Sequence, residues 1–506
     1  MIRKGTVAIL LVSLAAAVFF AGCGGAPVDE AREEIVIAQG VDATTMDPHM
    51  HAETTTTNAI TNMYDRLLVR DHDMDLQPQL ALSVEPLDDL TWEVKLREGI
   101  EFHNGEPFNA ETVKFNIERI IDPENQSPQI ADLNAVEKVE VIDEYTAHII
   151  TYEPYPVMAG RLNLPMVPKD YILENGQEYF AQNPIGTGPY VFVSWTRDES
   201  IVFEANEDYW QGAPAIKKIT IKPVPESSTR IAELQTGAVD LIVNVPPHQA
   251  DVIDADPVTK IETVPSGRFI FISLNTQREG IMQDKKVRQA LNHAVDIDTI
   301  IDTVLEGYGY KSTQPLTPLD FGYDDSIEGY EYNPEKARDL LAEAGYPDGI
   351  SIELGSPSGR YVMDREVAEA VAGQLAEVGV EAELNVQEWG VYVGKVLEKE
   401  AEEAYLIGWG TALFDSDATL YPWFRTGMRF ATYSDSQVDE YLDEARTVLD
   451  EEEREDLYHQ ALEIIMEDAP FILLYQQEDL YGLSADLQWE PRPDELIFVY
   501  DMEFGA

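Results

Sequence analysis

Apolar and polar positions alternate along this chain in two periods, and the periods mark out short strands and amphipathic helices. Ile35 to Gln39 is a nearly continuous apolar run of strand length, and Thr91 to Leu96 alternates as a half-exposed strand. Ala110 to Ile121 has helical spacing and stops at Asp122-Pro123. Further strands are predicted at Tyr145 to Thr151, Tyr190 to Trp195, Ser200 to Ala205, Ile216 to Val224 and Ile261 to Val264. Asn333 before Pro334 opens a helix that Gly345 closes. Asp364 to Gly379 is a helix with Val367, Ala368, Val371, Leu375 and Val378 along one side. Leu384 to Val386 and Ala404 to Trp409 are strands beyond it. Ser436, three residues before Asp439, is expected to cap one helix. Asp450 begins another, which runs through Ile464 and Ile465 until Pro470 forbids continuation. Strands and helices interleave without an internal repeat, which predicts an α/β architecture.

The N-terminus departs from this pattern. Arg3 and Lys4 precede an apolar run from Val7 to Phe20, and Ala21-Gly22-Cys23 follows. A basic start, a short apolar stretch and small residues at the end are the parts of an export signal. The run is shorter than the ~20 residues that a membrane-crossing helix needs. Residues 1–22 are therefore expected to be a cleaved signal peptide, and 23–34 an acidic tether. At 506 residues the chain is too long for one core, so two or more lobes are expected. Cys23 is the only cysteine, so no disulfide can form within the chain.

Acidic residues number 94 against 35 basic ones, a net charge of −59. Such a surface repels nucleic acid and anionic membrane. It fits a protein working outside the cell among dense counter-ions, which screen its self-repulsion. Asp71 to Asp75 begins with calcium-loop spacing, but Leu76 stands where the sharp turn needs Gly and Leu82 where the bidentate Glu belongs. Gly355 to Gly359 has the outline of a nucleophile elbow with Pro357 in the nucleophile's place. His49, Met50 and His51 could contribute to a soft metal site, but two histidines near a strand end are expected to be surface residues, and no cofactor motif is present.

A set of ordered landmarks carries a family resemblance. It runs through Thr45-Met46-Asp47-Pro48-His49, Tyr64 to Leu68, Gln77 to Ala81, Trp92 to Arg119, Pro184 to Tyr190, Asn206 to Trp210, Val287 to Asp296 and Tyr332 to Ala337. In this the chain resembles the peptide/nickel/opine class, family 5, of solute-binding proteins that serve ABC importers, the oligopeptide- and dipeptide-binding kind. Phe20-Ala21-Gly22-Cys23 likewise resembles a bacterial lipobox, in which Cys23 would carry the lipid. The resemblance implies a two-lobed periplasmic-binding-protein-like clamp (type II, cluster C) with an extra subdomain inserted in the first lobe. Lobe I would comprise 35–50, 180–274 and 478–506, the inserted subdomain 51–179, and lobe II 275–477. Phe269 to Asn275 and Phe471 to Tyr475, both apolar runs, would cross between the lobes.

The resemblance also directs attention to strand ends facing the cleft. Tyr405 to Asp417 holds Trp409 between glycines, then Thr411, Asp415 and Asp417. Trp409 offers a flat wall, and the glycines allow close backbone approach. Ala412 falls where dipeptide binders carry the Asp that pairs with a free α-amino group, which argues against a simple dipeptide. Met166 follows Leu164-Pro165 where nickel-type binders carry Arg, which argues against an anionic nickel chelate. Ser358-Gly359-Arg360-Tyr361 resembles the branch that includes glutathione and short-peptide binders. Arg360 is suited to a carboxylate, Tyr361 to stacking, and His51 and Asn275 complete the cleft candidates. The implied protein is a monomeric lipoprotein on the outer face of the membrane, or periplasmic. It would capture a peptide or small polar solute and deliver it to permease subunits. An extracellular peptidase is the rival class, but no nucleophile–base or metal constellation supports it. A sensory lipoprotein of the same fold is a third.

Overall fold

The computed structural model describes residues 32–410 and 412–505. The signal peptide, Cys23 and most of the tether fall outside the described residues, as does Thr411. Among them, no helix is long and apolar enough to cross a membrane.

An 11-stranded mixed sheet runs through the molecule. Its order is Val380–Glu388, Ile350–Ser358, Ala404–Gly410, Thr259–Leu274, Phe471–Ser484, Leu241–Ile242, Glu34–Gln39, Lys218–Pro223, Ser200–Ala205 and Tyr190–Thr196, with Gly309–Lys311 also paired to Phe471–Ser484. Two of these strands are far longer than their neighbours. Thr259–Leu274 spans 16 residues and Phe471–Ser484 spans 14, and they pair antiparallel. The apolar runs at Phe269 and Phe471 form only one end of each. Those ends pack in the largest core, with helices Lys285–His293, Asp364–Glu377 and Glu451–Asp468. The other ends contribute Val264, Tyr481 and Leu483 to a second core around Ile35, Ile37, Phe203 and Ile219. The pairing breaks register between Pro265 and Phe269. Such a bulge bends the strand and re-aims the side chains it carries, here Ser266 and Arg268.

A separate four-stranded sheet is ordered Ala81–Asp88, Thr91–Leu96, Thr146–Thr151, Val136–Asp143. Helix Ala110–Ile121 accompanies it, capped by the Asn109 side chain on Glu111 N and Thr112 N. Trp92, Val94, Ile117 and Ile149 belong to its core, and Leu413 and Ala418 join them from a segment far along the chain.

Local expectations and structure differ in instructive places. The cap of helix Ser436–Ala445 is Asp435, one residue earlier than expected, because its carboxylate accepts from Gln437 N and Val438 N. The strand expected at Leu384 to Val386 extends over Val380–Glu388, held by pairing with Ile350–Ser358. Asp71 Oδ1 accepts from the backbone of Asp73 and Asp75, so the acidic turn is closed by its own amides.

Candidate functional site

The loop between strand Ile350–Ser358 and helix Asp364–Glu377 is shaped by one buried carboxylate. Asp364 accepts from Gly359 N at 3.1 Å, Arg360 N at 2.9 Å and Tyr361 N at 3.1 Å. Burial pushes its pKa up, and the backbone N–H groups hold it back. The turn rests on Gly359 at φ 77° and Met363 at φ 55°. This frame fixes Arg360 and Tyr361. The Tyr361 hydroxyl donates to Gly408 O at 3.1 Å, and its ring meets Trp389 edge-on. The Arg360 guanidinium lies 5.0 Å from the Tyr361 ring centre and 5.3 Å from that of Trp389. Its pKa is lowered, by burial first and then by the like charge of Arg268.

Facing Arg360 is a network built on the bulge. Arg268 donates through Nε to Glu495 Oε1 at 2.8 Å and through Nη2 to Oε2 at 3.2 Å. Ser266 Oγ donates to Glu495 Oε1 at 3.2 Å. Burial opposes both charges, yet each partner holds the other in its ionised form: Arg268 is raised and Glu495 lowered. Glu495 sits at φ 62°, a left-handed conformation that a non-glycine residue adopts at a cost. Below it, strand Phe471–Ser484 presents Gln477 and Asp479. Gln477 Nε2 donates to Asp479 Oδ1 at 2.6 Å.

A clasp joins the two sides elsewhere. Arg70 donates Nε to Ala412 O at 2.8 Å and its two terminal nitrogens to Met74 O and Leu413 O, while lying 5.3 Å from the Phe414 ring centre. Leu413 reaches over Gly160, where an added Cβ would come within 2.5 Å of Leu413 Cδ1. Arg161 approaches Asp417 at 3.6 Å.

The residues singled out from sequence divide into three groups. Arg360 and Tyr361 lie together at the face just described. Trp409 and Asp415 lie on the neighbouring Ala404–Asp417 segment, with their polar atoms in use. Trp409 donates Nε1 to Ala418 O at 3.1 Å inside a cluster with Trp423 and Phe430. Asp415 is held bidentately by Arg454, at 2.8 and 2.5 Å. His51 and Asn275 stand apart. The His51 ring faces Glu53 at 3.8 Å, and burial lowers its pKa. Asn275 does not join Arg360: its Oδ1 caps the backbone N–H groups of Gln277 and Arg278. It lies seven positions along the chain from Arg268, roughly 23 Å in an extended strand.

His49 has both ring nitrogens engaged. Arg119 Nη1 donates to Nδ1 at 2.9 Å, so Nε2 carries the proton given to Pro165 O at 2.8 Å. Burial, then the charge of Arg119, lowers its pKa to about 4. Two surface depressions of about 360 and 380 Å³, one beside His293 and Lys336 and one beside His103 and Trp210, share no residue with the Arg360 face.

Sequence reasoning did not reach Arg268, Glu495, Gln477, Asp479 or Arg70. One signal was available: Gln476-Gln477-Glu478-Asp479 is a polar run directly after the apolar Phe471 to Tyr475, inside a strand buried on both faces.

A family model described as bacterial extracellular solute-binding proteins, family 5, middle, matches residues 75–429. The glutathione-binding protein GsiB of Pectobacterium atrosepticum is 33 % identical over 489 residues, covering 94 % of each chain. The periplasmic binding protein DppA of Helicobacter pylori, solved with the peptide STSA, superposes with a TM-score of 0.83 at 27 % identity, covering 94 % of this chain and 99 % of that one. NikZ of Campylobacter jejuni, solved with Ni(L-His), gives 0.83 at 27 %, covering 93 % and 99 %.

Proposed function

Because the chain belongs to the bacterial extracellular solute-binding proteins of family 5, we propose that it is the solute-capturing component of an ABC importer and that its solute is a small peptide bearing a free carboxylate. Arg360 carries this reading. Arg268, Arg454 and Arg492 each meet a carboxylate, and Arg70 meets three backbone carbonyls. Among the described residues the Arg360 guanidinium makes no ion pair: it lies against two aromatic rings, with Arg268 repelling it and Glu495 and Asp364 attracting it from beyond salt-bridge distance. An anionic group would receive its bidentate N–H pair and relieve that repulsion. The name of the glutathione-binding relatives supports the same solute class.

The lobes, divided as the sequence suggests, would close as a clamp whose hinge is the bulge at Ser266 to Arg268. Capture requires no bond to be broken, and the relatives are binding proteins rather than enzymes. A lipid on Cys23 would keep a monomeric binder beside its permease. Native mass spectrometry of the purified mature protein tests the solute class. A co-purifying short peptide that is absent from Arg360→Gln is the expected result. A metal chelate or a sugar in its place would reject the reading.

A further inference from the structure

The clasp around Arg70 joins parts of the chain that the sequence assigns to different lobes. Arg70 ends strand Leu68–Arg70 of the inserted subdomain, and Ala412 to Phe414 follow strand Ala404–Gly410 of the second lobe. Arg70 is 8 % exposed, yet among the described residues it meets no carboxylate at salt-bridge distance. Two of its three hydrogen bonds cross between the lobes, to Ala412 O and Leu413 O. The guanidinium also lies 5.3 Å from the centre of the Phe414 ring. That ring covers Gly267 in the bulge, where an added Cβ would come within 2.6 Å of Phe414 Cε1. Phe414 itself sits at φ 50°, a left-handed conformation that is an outlier for so bulky a residue. Its carbonyl accepts from Phe321 N at 3.0 Å. Beside it, Leu413 meets Gly160 and joins the core of the four-stranded sheet. Arg161 and Asp417, whose side chains are 16 % and 3 % exposed, add an attraction at 3.6 Å. None of these contacts uses Arg360, Tyr361 or Glu495.

Accepting the two-lobed clamp hinged at Ser266 to Arg268 argued above, we infer that this clasp is a latch that holds the clamp closed without solute. Opening the hinge would part Arg70 from both carbonyls across the divide, lift Leu413 out of its core and take Phe414 off Gly267. The polar contacts are made to main chain and to Asp417, so they form whatever lies in the cleft. Strained backbone persists only where its surroundings hold it, and Phe414 is held from both lobes, by Gly267 and Arg70 on one side of the divide and Phe321 on the other. Its strain opposes closure, while the Arg70 bonds and the burial of Leu413 favour it. The latch is thus a balance that single side chains can tip. It also acts on every solute alike. A binder already closed need not be closed by its ligand, so the latch scales all affinities by one factor and leaves selectivity to the cleft.

Electron–electron double resonance between spin labels at Tyr152→Cys and Val391→Cys tests this in mature Cys23→Ala protein, stripped of solute by unfolding and refolding. These positions lie in the inserted subdomain and the second lobe and are 69 % and 59 % exposed. Without solute, the short distance of the closed form should predominate. Arg70→Met should lower the ratio of closed to open at least about tenfold. Gly160→Val, which leaves Arg70 in place and meets Leu413 only in the closed form, should do the same. An open distance in the parent protein that neither variant changes would overturn the latch, and closure on adding glutathione would then leave the clamp itself standing. A closed distance that both variants keep would overturn the latch as well. One distance in all three proteins, with and without glutathione, would reject the hinged clamp and the latch together. The parent distribution alone decides against the latch if it is open, so the test does not depend on the folding of either variant.

Discussion

Asp415 illustrates how little of a charged residue's role its own position reveals. It ends a glycine-flanked aromatic segment, as a ligand-binding carboxylate would, yet both its oxygens belong to Arg454. The pair is buried, with side chains 13 % and 6 % exposed. Removing one charge strands the other, so Asp415→Asn should cost about 3–5 kcal/mol in urea unfolding, against little change for a surface acid. An effect under about 1 kcal/mol would show that Arg454 finds its partners elsewhere. Asp479 titrates in the opposite sense to a paired acid. Its folded pKa of about 7 lies above the ordinary carboxylate value, because of burial and then Glu495. The folded state therefore holds the extra proton. That contribution is complete below the ordinary carboxylate range and is lost as pH rises through about 7. Asp479→Asn keeps the shape without ionising. It should match the wild type near pH 4 and exceed it at pH 8 in urea midpoint, whereas a constant difference across that range would contradict the shift.

Among the elements, local chemistry was the legible part. Asn333 accepts from Lys336 N and Pro334 follows it, as the cap pattern requires, because both partners lie within one turn. The glycines at Gly186 and Gly188 were legible as necessary but not in their reason. They look like turn residues, yet neither takes a positive φ, and a Cβ on Gly186 would come within 2.0 Å of Met63 O. Their role is to admit the Met63 backbone, which no turn rule foresees. Gly186→Ala should therefore destabilise by several kcal/mol and lower the melting temperature sharply, since the obstacle is main chain and cannot swing aside. A melting point within a degree of wild type would count against that packing. The Arg268–Glu495 pair was illegible for a different reason: its members lie 227 positions apart and meet only after a bulge re-aims one and an unusual φ the other.

At the scale of the molecule, the family and the α/β architecture could be read from ordered landmarks, whereas the face that Arg360 shares with the bulge at Ser266 to Arg268 could not. It is assembled from segments far apart in the chain, and pairing at that range leaves no periodic trace. The net charge of −59 acts at this scale too. Self-repulsion opposes the compact state, and the Debye length falls from ~10 Å at 0.1 M salt to ~3 Å at 1 M. The melting temperature should rise steadily over that range, and a flat or falling curve would remove salt screening from the account. The central claim is that Arg360 receives the carboxylate of a small peptide. Isothermal titration of glutathione into the mature wild type and Arg360→Gln tests it most directly. The account predicts one saturable site in the wild type, weakened at least about tenfold in the variant at unchanged melting temperature. Equal affinity of the two proteins would contradict it.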